Sequence, residues 1–100
     1  MKHLILSADN TPSLYLVPED VTNNLDKHLK KFWEWMQTNP NAEKYRIDCG
    51  NFISICYNES DFIQYLNTWI FPDQPAQLIE AFDEYMDIPE KYKHIQWFNF

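Results

Sequence analysis

The chain has 100 residues, a net charge of −7 and 17% aromatic side chains, so it holds enough large apolar groups for one core and is not a disordered acidic tail. Its single glycine excludes a glycine-rich loop cradling a phosphate, which needs several residues without a Cβ where backbone meets an anion. No lysine or arginine lies between Arg46 and Lys91, yet nine carboxylates do: Asp48, Glu59, Asp61, Asp73, Glu80, Asp83, Glu84, Asp87 and Glu90. That imbalance excludes ordinary nucleic-acid binding, where cations against phosphate supply most of the affinity.

In chain order, Lys2–Ser7 and Ser13–Val17 read as two strands of a hairpin, with turn residues from Ala8 to Pro12 between them. The period then changes. Pro18 suits a first helical position, Glu19 and Asp20 suit the positive end of the helix dipole, and Val21, Leu25, Leu29, Phe32 and Met36 mark one helical face. One helix is predicted to run from Pro18 to about Thr38 and to stop at Asn39-Pro40-Asn41. Tyr45–Cys49 and Phe52–Tyr57 flank Gly50-Asn51 as a second hairpin. Asn58 caps a second helix whose apolar positions are Phe62, Tyr65, Leu66, Trp69 and Ile70, and Phe71-Pro72-Asp73 ends it.

A third helix is predicted from about Pro75 to Met86. Leu78, Ile79, Phe82, Tyr85 and Met86 fall on one side of its wheel, while Glu80, Asp83, Glu84 and Asp87 fall on the other. Like charges at i, i+4 repel there, as Glu80 with Glu84 and Asp83 with Asp87 would. A single turn at Pro89–Tyr92 leads to a docked last strand over Ile95–Phe100. The order implies an α+β fold: a single domain over residues 1–100, with a mostly antiparallel sheet (two hairpins and a C-terminal strand) packed with about three helices.

The residues that could carry chemistry are scattered. His3, His28 and His94 lack helical spacing to one another or to a cysteine, so no zinc site is expected and each reads as a surface or edge residue. Cys49 and Cys56 read as small buried hydrophobes, reduced and without a catalytic part. An enzyme would need Cys49 or Cys56 brought to His94, or Asp48 brought to Glu59, and neither arrangement has a local signature. No cofactor and no metal are expected. Lys27, Lys30 and Lys31, with Asp26 and Glu34, make a solvated mixed face. Trp35 lies off the apolar stripe and either covers a sheet edge or stands exposed as an anchor for a protein partner.

The stretch from Cys56 to Asp73, with Pro89-Glu90-Lys91-Tyr92 and Phe98-Asn99-Phe100, is similar to a group of short acidic bacterial proteins of unassigned role. In size, acidity and aromatic content these resemble the immunity proteins that protect bacteria from polymorphic toxins. The resemblance covers about half the chain and carries over no binding residue. The sequence reading is thus a cytoplasmic protein-binding module that neutralises a basic partner, of the kind a toxin would be. Glu80, Asp83, Glu84, Asp87 and Trp35 are the expected contact residues, with no direct nucleic-acid and no membrane contact. The alternatives are a small enzyme using Cys56 or the carboxylates near the second hairpin, and a structural or regulatory protein. The apolar run Leu4-Ile5-Leu6 is too short for a signal-peptide core or a membrane span.

Overall fold

A computed structural model describes residues 1–8 and 11–100. Strands β1 (Lys2–Ala8) and β2 (Thr11–Val17) pair antiparallel in the register Lys2 to Val17 through Ala8 to Thr11. This is the predicted first hairpin; Asp9 and Asn10 of its turn lie outside the described residues. Because successive side chains of a strand point to opposite faces, the unbroken run Leu4-Ile5-Leu6 supplies both faces of the sheet with apolar groups. All three side chains are buried.

The two faces feed two separate cores. On one, Leu4, Leu6, Tyr15 and Val17 pack with Val21, Leu25, Phe32 and Met36 of the first helical region and with Phe62, Tyr65 and Leu66 of the second. On the other, Ile5 and its cross-strand partner Leu14 pack with Phe82 and Ile88, and Tyr85, Tyr92 and Ile95 close over them. Each fully buried leucine here contributes about 1.5–3 kcal/mol relative to exposure.

The sheet is completed by β5 (Gln77–Ala81), antiparallel to β2, and β6 (Trp97–Asn99), parallel to β1, in the order β5-β2-β1-β6. The docked C-terminal strand is therefore as expected, though its pairing is parallel. The second hairpin, β3 (Arg46–Asp48) and β4 (Ile53–Ile55), forms a two-stranded sheet of its own. Gly50 begins its turn at φ +90°, a conformation glycine enters without steric cost, and Cys49 N–H donates to the Phe52 carbonyl across it at 2.9 Å. The fold is α+β.

The first helical region departs from expectation. Instead of one helix it contains α1 (Glu19–Asn23) and α2 (Leu25–Thr38), with Pro18 preceding the first helical residue rather than occupying it. Asn24 separates the two at φ −131° and ψ 41°. Its side-chain amide donates to Asp20 Oδ1 at 2.9 Å, the local competition that makes asparagine a poor helix-interior residue. The other oxygen of the same carboxylate, Asp20 Oδ2, meets His28 Nε2 at 2.7 Å. His28 is thereby buried on the core side of α2, edge-on to Phe71, and is not the surface residue the sequence suggested. The following helix α3 (Glu59–Tyr65) starts as predicted: the Asn58 side chain accepts from Asp61 N–H, and the Asp61 carboxylate accepts from Asn58 N–H. It continues through a wider turn, Leu66–Ile70, closed by Phe71 N–H donating to the Leu66 carbonyl at 2.7 Å.

The hydrogen bond to His28 holds the Asp20 carboxyl below its usual range. A carboxyl lowered in the folded state stabilises it fully above the unfolded value and loses that contribution as pH falls through the folded one. Asp20→Asn is therefore expected to lower stability at neutral pH, with the gap to the native protein closing as pH falls below about 4. Chemical denaturation across that range checks this; a gap that does not change with pH would contradict it.

Candidate functional site

After α3 the chain must reverse to reach the sheet. Phe71-Pro72-Asp73 stops the helical run as predicted, and Gln74 N–H donates to the Phe71 carbonyl at 3.1 Å. Asn67 then fixes where the next segment begins. Its side-chain amide donates to the Ala76 carbonyl at 3.2 Å, and its oxygen accepts from Ala76 N–H at 2.7 Å, so one side chain satisfies both backbone groups of a buried residue.

From that clamp the chain runs extended as β5, not as the predicted helix from Pro75 to Met86. Ser13 faces Ala81, Leu14 faces Glu80, Tyr15 faces Leu78 and Leu16 faces Gln77, with a bulge that leaves Ile79 as the extra residue. The physical reason is competition. As the free edge of the first hairpin, β2 offers unpaired backbone groups, and a segment with Leu78 and Ile79 can satisfy them. Beyond β5, Phe82 N–H donates to the Pro12 carbonyl at 2.9 Å, and Phe82, Tyr85 and Ile88 turn toward Ile5 and Leu14. Their three-residue spacing fits the 3₁₀ turn at Tyr85–Asp87 as well as it fits an α-helix, which is why the helical pattern misled.

The four carboxylates singled out by the sequence therefore do not share a helix face. Glu80 is on β5, Asp83 and Glu84 are in the connection, and Asp87 ends the 3₁₀ turn. All four are exposed, while Phe82, Tyr85 and Ile88, interleaved with them, pack inward. Among the described residues none of the four has an ion-pair partner. Glu90 differs: its contact with Lys93 at 2.9 Å holds its carboxyl below the usual range.

Three apolar side chains that the sequence assigned to a buried helix face stand in solvent beside these acids. Leu78 is 58% exposed, Ile79 45% and Met86 87%. Sequence reasoning missed them as surface groups, because β5 holds a single β-branched residue, Ile79, and its apolar spacing suits a helix.

Trp35 is elsewhere. It is half-buried, with ring centroids 5.1 Å from Tyr65 and 5.9 Å from Tyr45, and it also packs on Phe32 and Trp69. Among the described residues its ring neighbours include none of the 77–88 segment and none of a strand, so it covers the helical core and not the sheet edge that the sequence suggested. Cys49 and Cys56 are free and exposed, not buried as expected, because the β3–β4 hairpin pairs only with itself and Ile47, Phe52 and Ile53 are exposed there too. Among the described residues neither thiol is hydrogen-bonded to a histidine or carboxylate: Cys49 Sγ lies 3.7 Å from the Ile47 carbonyl. Asp48 accepts from Gly50 N–H at 2.9 Å, which is a turn contact and not an approach to Glu59. No group of three His, Cys, Asp or Glu among the described residues is placed to hold a metal ion. No helix of the described residues is long and apolar enough to cross a membrane.

Comparison with known protein families, with curated proteins and with solved structures gives no match to this chain.

Asn67→Ala tests how β5 is held. It leaves a buried backbone donor and acceptor unsatisfied, so stability is expected to fall by about 1–3 kcal/mol. Amide exchange of residues 77–81 is expected to accelerate more than that of β1. Equal acceleration at both would show that Asn67 supports the whole fold and not this edge.

Proposed function

We propose that this chain is a protein-binding module that meets a basic protein partner through the carboxylates of the 77–87 segment, in the manner of an immunity protein that neutralises a toxin. The observation that carries this reading is the division of labour along that segment. Phe82, Tyr85 and Ile88 are used for the core, and Glu80, Asp83, Glu84 and Asp87 are turned outward with no ion-pair partner among the described residues. An unpaired cluster of one sign raises the energy of the free protein slightly and speeds encounter with the opposite sign. Exposed Leu78, Ile79 and Met86 add the apolar area from which contact energy is drawn.

The partner class follows from charge. A protein acting on nucleic acid needs a cationic cleft, and an acidic surface of this kind is suited to fill it. Trp35 contributes through the core that supports the module. The place of action on this reading is the cytoplasm, where a toxin directed at nucleic acid would have to be met.

The test is charge reversal. Glu80→Lys, Asp83→Lys, Glu84→Lys and Asp87→Lys together are expected to leave the fold intact, since exposed positions change stability by roughly 0.5 kcal/mol or less each. This reading expects a basic protein to be encoded beside this chain, and association with it is expected to slow about tenfold or more and to lose its salt dependence. Asp26→Lys with Glu34→Lys on the mixed face of α2 is the control and should change the rate much less. Equal losses from both sets, an unchanged rate in the quadruple variant, or a neighbouring gene that encodes no basic protein would each contradict the reading.

A further inference from the structure

We propose that the free edge of β5 takes up a short, extended, lysine- or arginine-bearing segment of the partner as a fifth strand of the sheet. This rests on the basic-partner reading and adds to it the mode of docking. Among the described residues β5 is paired with β2 alone, so its other side presents main-chain donors and acceptors without strand partners there. All five of its residues are exposed, whereas Leu4, Ile5, Leu6 and Ser7 of β1 are buried between the two layers. Neither covering layer reaches this edge.

Sheet edges are commonly blunted by lysine, proline or a bulge. Here the bulge at Ile79 is present, but lysine is not, and the charges on and after the strand are all negative: Glu80, Asp83, Glu84 and Asp87. That sign selects the occupant. A second copy would bring its own Glu80 and its own net charge of −7 against the same groups, which disfavours self-pairing. A strand in which cations alternate with apolar residues instead places charge against the carboxylates and side chains against Leu78 or Ile79, since alternate residues share a face. The opposite edge, β6, is three residues long and follows Lys91 and Lys93, so it lacks this complementarity. The bulge limits the regular ladder, so the docked segment is short and depends on its charge as well as its backbone.

The hydrogen-bond alternation of β5 supplies a clean probe. Phe82 N–H points to the Pro12 carbonyl, so the backbone groups of Ala81, the residue before it, turn to the free side. Ala81→Pro removes that outward donor and keeps every carboxylate, and proline is accommodated on an edge strand where its missing N–H faced solvent. The ligand used is a capped nine-residue peptide alternating Lys and Val. Its counterpart carries N-methyl groups at alternate residues and has the same charge.

The Lys-Val peptide is expected to slow amide exchange within residues 77–81 about tenfold or more, and both Ala81→Pro and N-methylation are expected to weaken binding about tenfold. Equal binding of the N-methylated peptide overturns strand addition whether or not Ala81→Pro folds. If Ala81→Pro binds the peptide and the neighbouring basic protein normally while charge reversal abolishes both, the basic-partner reading stands and strand docking falls. If neither change matters, both fall. A concentration-dependent dimer that Ala81→Pro dissolves would show instead that the edge is occupied by a second copy.

Discussion

Burial of β1 on both faces is the constraint on which the rest of the structure depends. Leu4 and Leu6 point into the helical core, and Ile5 points the other way with its partner Leu14. A strand apolar on both faces cannot be covered by helices on one side alone. The chain meets this demand with two layers of different kinds. α1, α2 and α3 cover one face with an aromatic cluster centred on Phe32, whose ring lies 5.2 Å from Tyr65 and 5.3 Å from Phe62. The segment from Phe82 to Ile95, mostly turns, covers the other. Ser7 sits at the junction, 2% exposed, and its hydroxyl is satisfied by the Tyr85 hydroxyl and the Asn99 side chain, tying the turn layer to β1 and β6.

That second layer determines how the acidic half of the chain is displayed. Phe82, Tyr85 and Ile88 are required inward, so Asp83, Glu84 and Asp87 are left outward and Met86 with them. Glu80 is outward for a separate reason, since β5 extends past both layers. Core packing thus makes these side chains accessible, and the absence of lysine and arginine from Ile47 to Glu90 leaves them without local cations. The functional proposal draws on this link between packing and charge; it needs no pocket and no reactive group.

Much of the fold was legible where a local rule had no competitor. The first hairpin followed from two short apolar runs around turn residues, the Gly50 turn from the one residue that enters positive φ freely, and the start of α3 from Asn58 as its cap. The segment from Pro75 to Met86 was not legible, because its apolar spacing suits a helix and the decisive interaction is long-range pairing with β2. The break at Asn24 and the burial of His28 depend together on the Asp20 carboxylate, which no periodicity reveals. The exposed cysteines lie on and beside a hairpin that, among the described residues, pairs with no other strand, again a tertiary fact. For the candidate site, residue identities were readable from charge, whereas their backbone and the exposed Leu78 and Ile79 beside them were not.

The account requires that the doubly covered strand be the most stable part of the molecule and that the uncovered edge open independently of it. Native-state hydrogen exchange over a low denaturant series measures both at once. Amides of Leu4, Leu6 and Leu14 are expected to exchange only through global unfolding, while those of Leu78 to Ala81 exchange through smaller local openings. Amides of α2 around Phe32 outlasting β1, or β5 exchanging in step with β1, would contradict the account.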